Sequence, residues 1–168
     1  VVPLPHNVIY CYGKTQSGCA KYSWKEFHEG LPKSEMFDGT PTLVVIDDLM
    51  NETNDMVANL FTKISHHRSV SVIYITQNIF HKNKQSRTMS LNTHYMVLFK
   101  SPRDAGQIAV LGRQLYPKHN KFLVKALKDA TSTPHSYLLL DLRPETNERY
   151  RVRANIFQGE QQIVYQPK

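Results

Sequence analysis

Hydrophobic and polar positions along this chain keep two rhythms. Short apolar or β-branched runs, the length of strands, fall at residues 7–12, 42–48, 70–78, 95–99 and 136–142. Between them, apolar residues recur three and four apart, as on one face of a helix. From Asn54 onward, Met56, Val57, Leu60, Phe61 and Ile64 form such a stripe, with Thr53 or Asn54 as its cap. His66-His67-Arg68 closes it, where positive charge answers the helix dipole. Ser101-Pro102-Arg103-Asp104 reads as a helix start, and the helix runs to about Tyr116 with Ile108, Leu111 and Leu115 inward. A second helix over 120–130 packs Phe122, Leu123, Ala126 and Leu127. Alternation over 149–157 predicts an edge strand antiparallel to 136–142, followed by a frayed polar tail after Gln158. Ser23-Trp24-Lys25-Glu26 has the capping-box arrangement and predicts a short helix to about Glu29. Residues 33–41 and 81–88 read as loops, the second basic through Lys82, Lys84 and Arg87.

The run Thr42-Leu43-Val44-Val45-Ile46 enters two carboxylates, Asp47 and Asp48. So unbroken a run is expected of a central parallel strand covered on both faces, in an α/β sheet. Ligands of such sheets bind at the carboxyl ends of strands. Adjacent acids there suit Mg²⁺ chemistry, one holding the metal's waters and the other positioning a nucleophilic water. This is the form of a Walker B strand; an ordinary buried strand with an Asp-rich turn after it remains the alternative. The next strand also ends in polar residues, Thr76-Gln77-Asn78. A Gln at that tip is placed to hold an attacking water or touch a γ-phosphate.

Composition narrows the partners. With 168 residues, 40% of them apolar, the chain can bury one core, and one domain is expected. The net charge of +7 favours polyanions, and the charge is segregated. Residues 26–55 hold eight acids and one base, whereas 63–128 hold twelve bases and one acid. Two cysteines, Cys11 and Cys19, form neither a disulfide framework nor a zinc pattern, and suit a reducing compartment. His66, His67 and His81 lack metal-ligand spacing. No apolar run reaches the ~20 residues of a membrane span, and no basic-then-apolar leader opens the chain. The start at Val1, without Met, suggests a fragment. Gly13-Lys14-Thr15 is not a phosphate loop: the position of its first glycine is occupied by Val8, inside a strand.

Several stretches together resemble the DNA-packaging ATPases of the FtsK–HerA class carried by Polinton (Maverick) elements and adintoviruses. They are Val8-Ile9-Tyr10-Cys11-Tyr12-Gly13, Leu43 to Asp48, Leu60-Phe61-Thr62-Lys63 with Ser65-His66-His67-Arg68, and Ile75-Thr76-Gln77-Asn78-Ile79-Phe80-His81. Leu91-Asn92 with Tyr95 to Lys100, Pro102-Arg103-Asp104, and Ala130-Thr131 through Leu142 complete the set. The resemblance spans nearly the whole chain in one order. It implies a RecA-like P-loop NTPase domain with a mostly parallel sheet, hydrolysing ATP with Mg²⁺ to drive double-stranded DNA into a capsid. The working unit would be a ring of identical subunits, with a capsid portal or vertex as a further partner, inside the host nucleus or the virion.

In that family Asp47 would hold Mg²⁺, Asp48 would take the catalytic carboxylate position, and Gln77 would be the sensor. Many relatives have Glu where Asp48 stands. An arginine acting on a neighbouring subunit's site is expected from among Arg68, Arg87 and Arg113. Lys82, Lys84 and Arg87 are candidate DNA contacts. The family's Walker A strand and loop would precede the Val8 strand and lie between the Gln77 and Tyr95 strands. This chain does not include them, so it is expected to bind ATP weakly on its own. A non-catalytic nucleic-acid-binding or oligomerisation module, derived from a degenerate ATPase, is the other reading. A Mg²⁺ nuclease is the third and weakest, because no further acid is suitably placed.

Overall fold

The computed structural model describes residues 4–13, 26–47, 49, 55–65, 68–78, 84–103 and 105–168, with the backbone alone for 84–86. The chain divides into two compact units, Val1–Asn92 and Thr93–Lys168.

The first unit is built on four parallel strands. They are β1 (Asn7–Tyr12), β2 (Glu26–Glu29), β3 (Thr42–Asp47) and β4 (Val70–Ile75), in the order β2-β1-β3-β4. β3 therefore has a strand on each edge, as its apolar run predicts. Its register sets Cys11 beside Ile46, and Ile46 beside Tyr74. Two helices contribute to the core: α1 (Asp55–Asn59), which continues as a π-helical turn over Leu60–Ile64, and α2 (Lys84–Leu91). Val57, Leu60 and Met89 join Ile9, Cys11, Val44 and Ile46 in one buried cluster. Complete burial of a side chain such as Ile46 or Leu60 contributes roughly 2–3 kcal/mol.

Three expectations change in this unit. Among the described residues, β3 is covered unequally on its two faces: Val44 and Ile46 are buried, whereas Leu43, Val45 and Asp47 on the opposite face are half-buried. On that less buried face of β4, Ile73 and Ile75 are 48% and 46% exposed. The helix expected up to Glu29 is also corrected, because Glu26–Glu29 is a strand pairing in parallel with β1. A segment this short gains more from the backbone partners offered by an open strand edge than from one turn of helix. Gly30, at φ 84°, ends it in a conformation that favours glycine, and its N–H donates to the Tyr12 carbonyl at 2.9 Å. Residues 23–25 of that expected helix lie outside the described residues. Finally, Lys84 and Arg87 stand on α2 rather than in a loop. Met89 anchors α2 in the core, and the Asn92 side chain donates to the Thr88 carbonyl at its end. Lys82 lies outside the described residues.

The second unit is an antiparallel sheet in the order β5-β6-β7-β8. Its strands are β5 (Tyr95–Phe99), β6 (Tyr137–Asp141), β7 (Val152–Ala154) and β8 (Ile163–Tyr165). Two helices, α3 (Ala105–Leu115) and α4 (Phe122–Ala130), join β5 to β6. Leu98, Ile108, Leu111, Leu123, Ala126, Leu138, Leu140 and Val152 are buried here. Gly112 allows the close approach of α3 and α4, since a Cβ there would meet the Asn120 carbonyl oxygen at 3.1 Å and Leu123 Cβ at 3.3 Å. Asp104, the expected end of the α3 capping box, lies outside the described residues. The tail after Gln158 is corrected from frayed to paired. A turn with Gly159 at φ 90° sends the chain back, and β8 becomes the edge strand outside β7.

The end of β6 holds a compact ionic cluster. The Asp141 side chain is 1% exposed and accepts from Arg143 Nε at 3.0 Å, Arg143 Nη2 at 2.9 Å, Thr146 Oγ1 at 2.8 Å and Arg153 Nη2 at 3.1 Å. Arg143 also lies over the Tyr95 ring, 4.9 Å from its centroid. These donors, Arg143 foremost, hold the Asp141 carboxyl down to about 2. Among the described residues, no helix is long and apolar enough to cross a membrane.

Candidate functional site

Because β1 to β4 all run the same way, their carboxyl ends share one edge of the sheet. Register aligns Glu29 with Tyr12, Tyr12 with Asp47, and Asp47 with Ile75. Side chains alternate along each strand, so Asp47 points to the same less buried face as Val45, away from the core residues Val44 and Ile46. The apolar run thus delivers a half-buried carboxylate to a strand end, without burying it in the core.

Asp47 does not stand alone. The Tyr10 hydroxyl donates to its Oδ2 at 2.5 Å. Tyr10 is in register with Val45, two residues before Asp47 on the same face, so its phenol reaches diagonally across the strand pair. A short O–H···O⁻ bond of this kind fixes the carboxylate's rotamer. The Tyr10 ring rests against Phe27 of β2, with centroids 5.9 Å apart and planes at 51°. β2, which was expected to be helical, therefore supports the residue that orients Asp47. Sequence reasoning missed this role of Tyr10. The signal was the Tyr10/Tyr12 alternation in a strand adjacent to β3, legible only once that pairing is known.

β4 brings its tip alongside. Past Ile75, the Thr76 hydroxyl donates to the Asn78 carbonyl at 3.1 Å and accepts from the Asn78 N–H at 3.2 Å. This local loop leaves Gln77 exposed two residues beyond the partner of Asp47. Asp48 lies outside the described residues, directly after Asp47. Leu49, 1% exposed, anchors the chain just beyond the two acids.

The candidate arginines stand on three different elements. Arg68 donates to the carbonyls of Phe37 at 2.7 Å and Ser34 at 3.3 Å, and so ties the turn before β4 to the loop before β3. Arg87 is exposed on α2, and Arg113 is exposed in the last turn of α3, in the second unit. Among the described residues, no group of three or more His, Cys, Asp or Glu is placed to hold a metal ion. Mg²⁺ is commonly held by one or two carboxylates together with substrate phosphates and water, and the half-buried Asp47 at the end of β3 could serve as one of them.

No protein-family model, no curated protein and no solved structure matches this chain.

Proposed function

We propose that this chain is the Walker B and sensor portion of a RecA-like P-loop ATPase, part of a ring motor that translocates or packages double-stranded DNA. The observation that supports the reading is Asp47 at the carboxyl end of β3, in register with Ile75 of the parallel neighbour β4, with the exposed Gln77 two residues further along that chain. Phosphoryl transfer asks little covalent chemistry of a protein; it asks for positioned groups and charge. In this reading the Asp47 carboxylate, oriented by Tyr10, would hold Mg²⁺ through its waters. Asp48 accepts a proton from, or orients, the attacking water, and the Gln77 amide aligns it. When bound, Mg²⁺ would neutralise charge developing on the phosphates. Arg68, Arg87 and Arg113 remain the candidates for an arginine supplied to a neighbouring subunit.

The test uses a polypeptide that carries a Gly-x-x-x-x-Gly-Lys-Ser/Thr loop together with this chain, with duplex DNA and Mg²⁺-ATP. Asp48→Asn is expected to abolish phosphate release while sparing ATP binding, and Gln77→Ala to lower release by about 10²-fold or more. Unchanged turnover in both variants would remove these residues from the mechanism and end the ATPase reading. A non-catalytic nucleic-acid-binding module is the second reading. It is favoured by the lysines on the exposed face of α4 and predicts binding without hydrolysis, weakening steeply with salt.

A further inference from the structure

The second unit carries a groove that the ATPase reading does not use. It lies between α4 and β8, has a volume of about 590 Å³, and is lined by Lys121, Phe122, Lys125, Asp129, Tyr165 and Lys168 among others. Lys121, just before the first residue of α4, and Lys125 and Lys128 within it recur four and three apart, exposed on the side opposite the buried Leu123, Ala126 and Ala130. Residues 105–128 contain five Lys or Arg and no acid. The ion pairs among the described residues are all made by arginines, Arg143, Arg151 and Arg153, so these lysines have no carboxylate partner there. The one acid named in the lining, Asp129, accepts from the Tyr165 hydroxyl at 2.7 Å and keeps its negative charge, so Lys121, Lys125 and Lys168 outnumber it and leave the groove with a surplus of positive charge. Surplus ammonium groups in one concavity repel each other, and an anion relieves that repulsion.

The groove also has aromatic walls. Phe122 and Tyr165 both line it, and Phe122 is held edge-on against Tyr116 with centroids 4.9 Å apart. Cations that track a phosphate backbone, beside rings on which bases stack, are the parts of a single-strand binding groove. A duplex exposes phosphates but keeps its base faces stacked inside, so it could not use these rings. A cavity of this size holds one or two nucleotides rather than a helix of DNA.

We propose that the groove between α4 and β8 binds single-stranded nucleic acid, with Lys121 and Lys125 on the phosphates and Phe122 and Tyr165 against a base. This inference stands apart from the ATPase reading, and no nucleotide hydrolysis is needed to test it.

The experiment is fluorescence polarisation of labelled dT12, rU12 and a 12-base-pair duplex with the full chain, over a range of salt. The single strands are expected to bind more tightly than the duplex, and whichever of dT12 and rU12 binds better identifies the sugar preference. Lys121→Gln with Lys125→Gln is expected to weaken single-strand binding about tenfold at low salt and to lower the salt slope by about 1.4. Phe122→Leu, checked for folding by circular dichroism, should cost at least about fivefold. The control pair Lys100→Gln with Arg103→Gln removes the same charge from other exposed positions of this unit and should change affinity by less than about twofold. Equal losses in the two double variants, or a duplex bound as tightly as the single strands, would overturn the proposal.

Discussion

Replacing Asp141 with Asn keeps the shape of a buried side chain while removing its charge and one of its two acceptor oxygens, which makes it a direct probe of the β6 cluster. The carboxylate accepts four side-chain bonds from Arg143, Arg153 and Thr146, and its side chain is 1% exposed. Breaking a buried ion pair by removing one partner usually costs about 3–5 kcal/mol. Here the Arg143 and Arg153 side chains are 37% and 23% exposed and can turn partly toward water, so the lower end applies. Linkage gives a second route to the magnitude. A carboxyl held at about 2 rather than its ordinary 3.8 is worth roughly 2.5 kcal/mol to the folded state at neutral pH. Both routes predict a loss of about 2–3 kcal/mol in Asp141→Asn at pH 7.

The sign of the pH dependence follows from a folded-state value that lies below the unfolded one. The contribution is complete above the ordinary carboxylate range and is lost as pH falls through the folded value. The gap between native protein and variant should therefore shrink to about 1.3 kcal/mol at pH 3 and under about 0.5 kcal/mol at pH 2. Amide hydrogen exchange of β6 and β7 is the assay, because it reads this unit separately from the first. A variant within about 0.5 kcal/mol of native at pH 7, or a gap that stays constant from pH 7 to pH 2, would refute the reasoning.

Two further outcomes are expected. Leu123→Ala empties a site that is 0% exposed, where α4 meets Gly112 of α3, and should destabilise the second unit by about 3 kcal/mol, read as a lower urea midpoint at unchanged slope; a loss below about 1 kcal/mol would mean the helices close the gap. The Cys11 thiol is pushed up to about 12 by burial, with nearby Glu26 adding to the shift, so its labelling by a disulfide reagent at pH 8 should be on the order of a thousandfold slower than for free cysteine until the chain unfolds; peptide mapping that finds Cys11 rapidly labelled in the native protein would contradict that burial.

Much of the fold was legible because the hydrophobic periods are local. The strands at 7–12, 42–47 and 95–99, the α1 stripe and the paired helices α3 and α4 all fall where apolar spacing puts them. Asp47 was legible as a strand-end carboxylate for the same reason, since a strand's last residue is named by the chain itself. Errors arose where a distant partner outweighed local preference. The capping-box sequence before Glu29 argued for helix, yet the free edge of β1 supplies Glu26–Glu29 with backbone bonds that one helical turn cannot match. Ile163–Tyr165 is too short to announce itself as a strand, and becomes one because β7 lies beside it. Lys84 and Arg87 looked like loop residues until Met89 found a place in the core.

By itself, then, the sequence determined the α/β class, the central position of the Thr42–Asp47 strand and the presence of an acid at its end. Burial and turn preferences act over a few neighbouring residues, so they can be read along the chain. Only the tertiary structure decided which strands pair, that one face of the first sheet is less buried than the other among the described residues, and that Tyr10 bonds to Asp47. It alone also drew Asp141, Arg143 and Arg153 into one cluster, and brought the lysines of α4 beside Tyr165. Each of these depends on register between segments far apart in the chain, and register is set by which whole faces can be buried together.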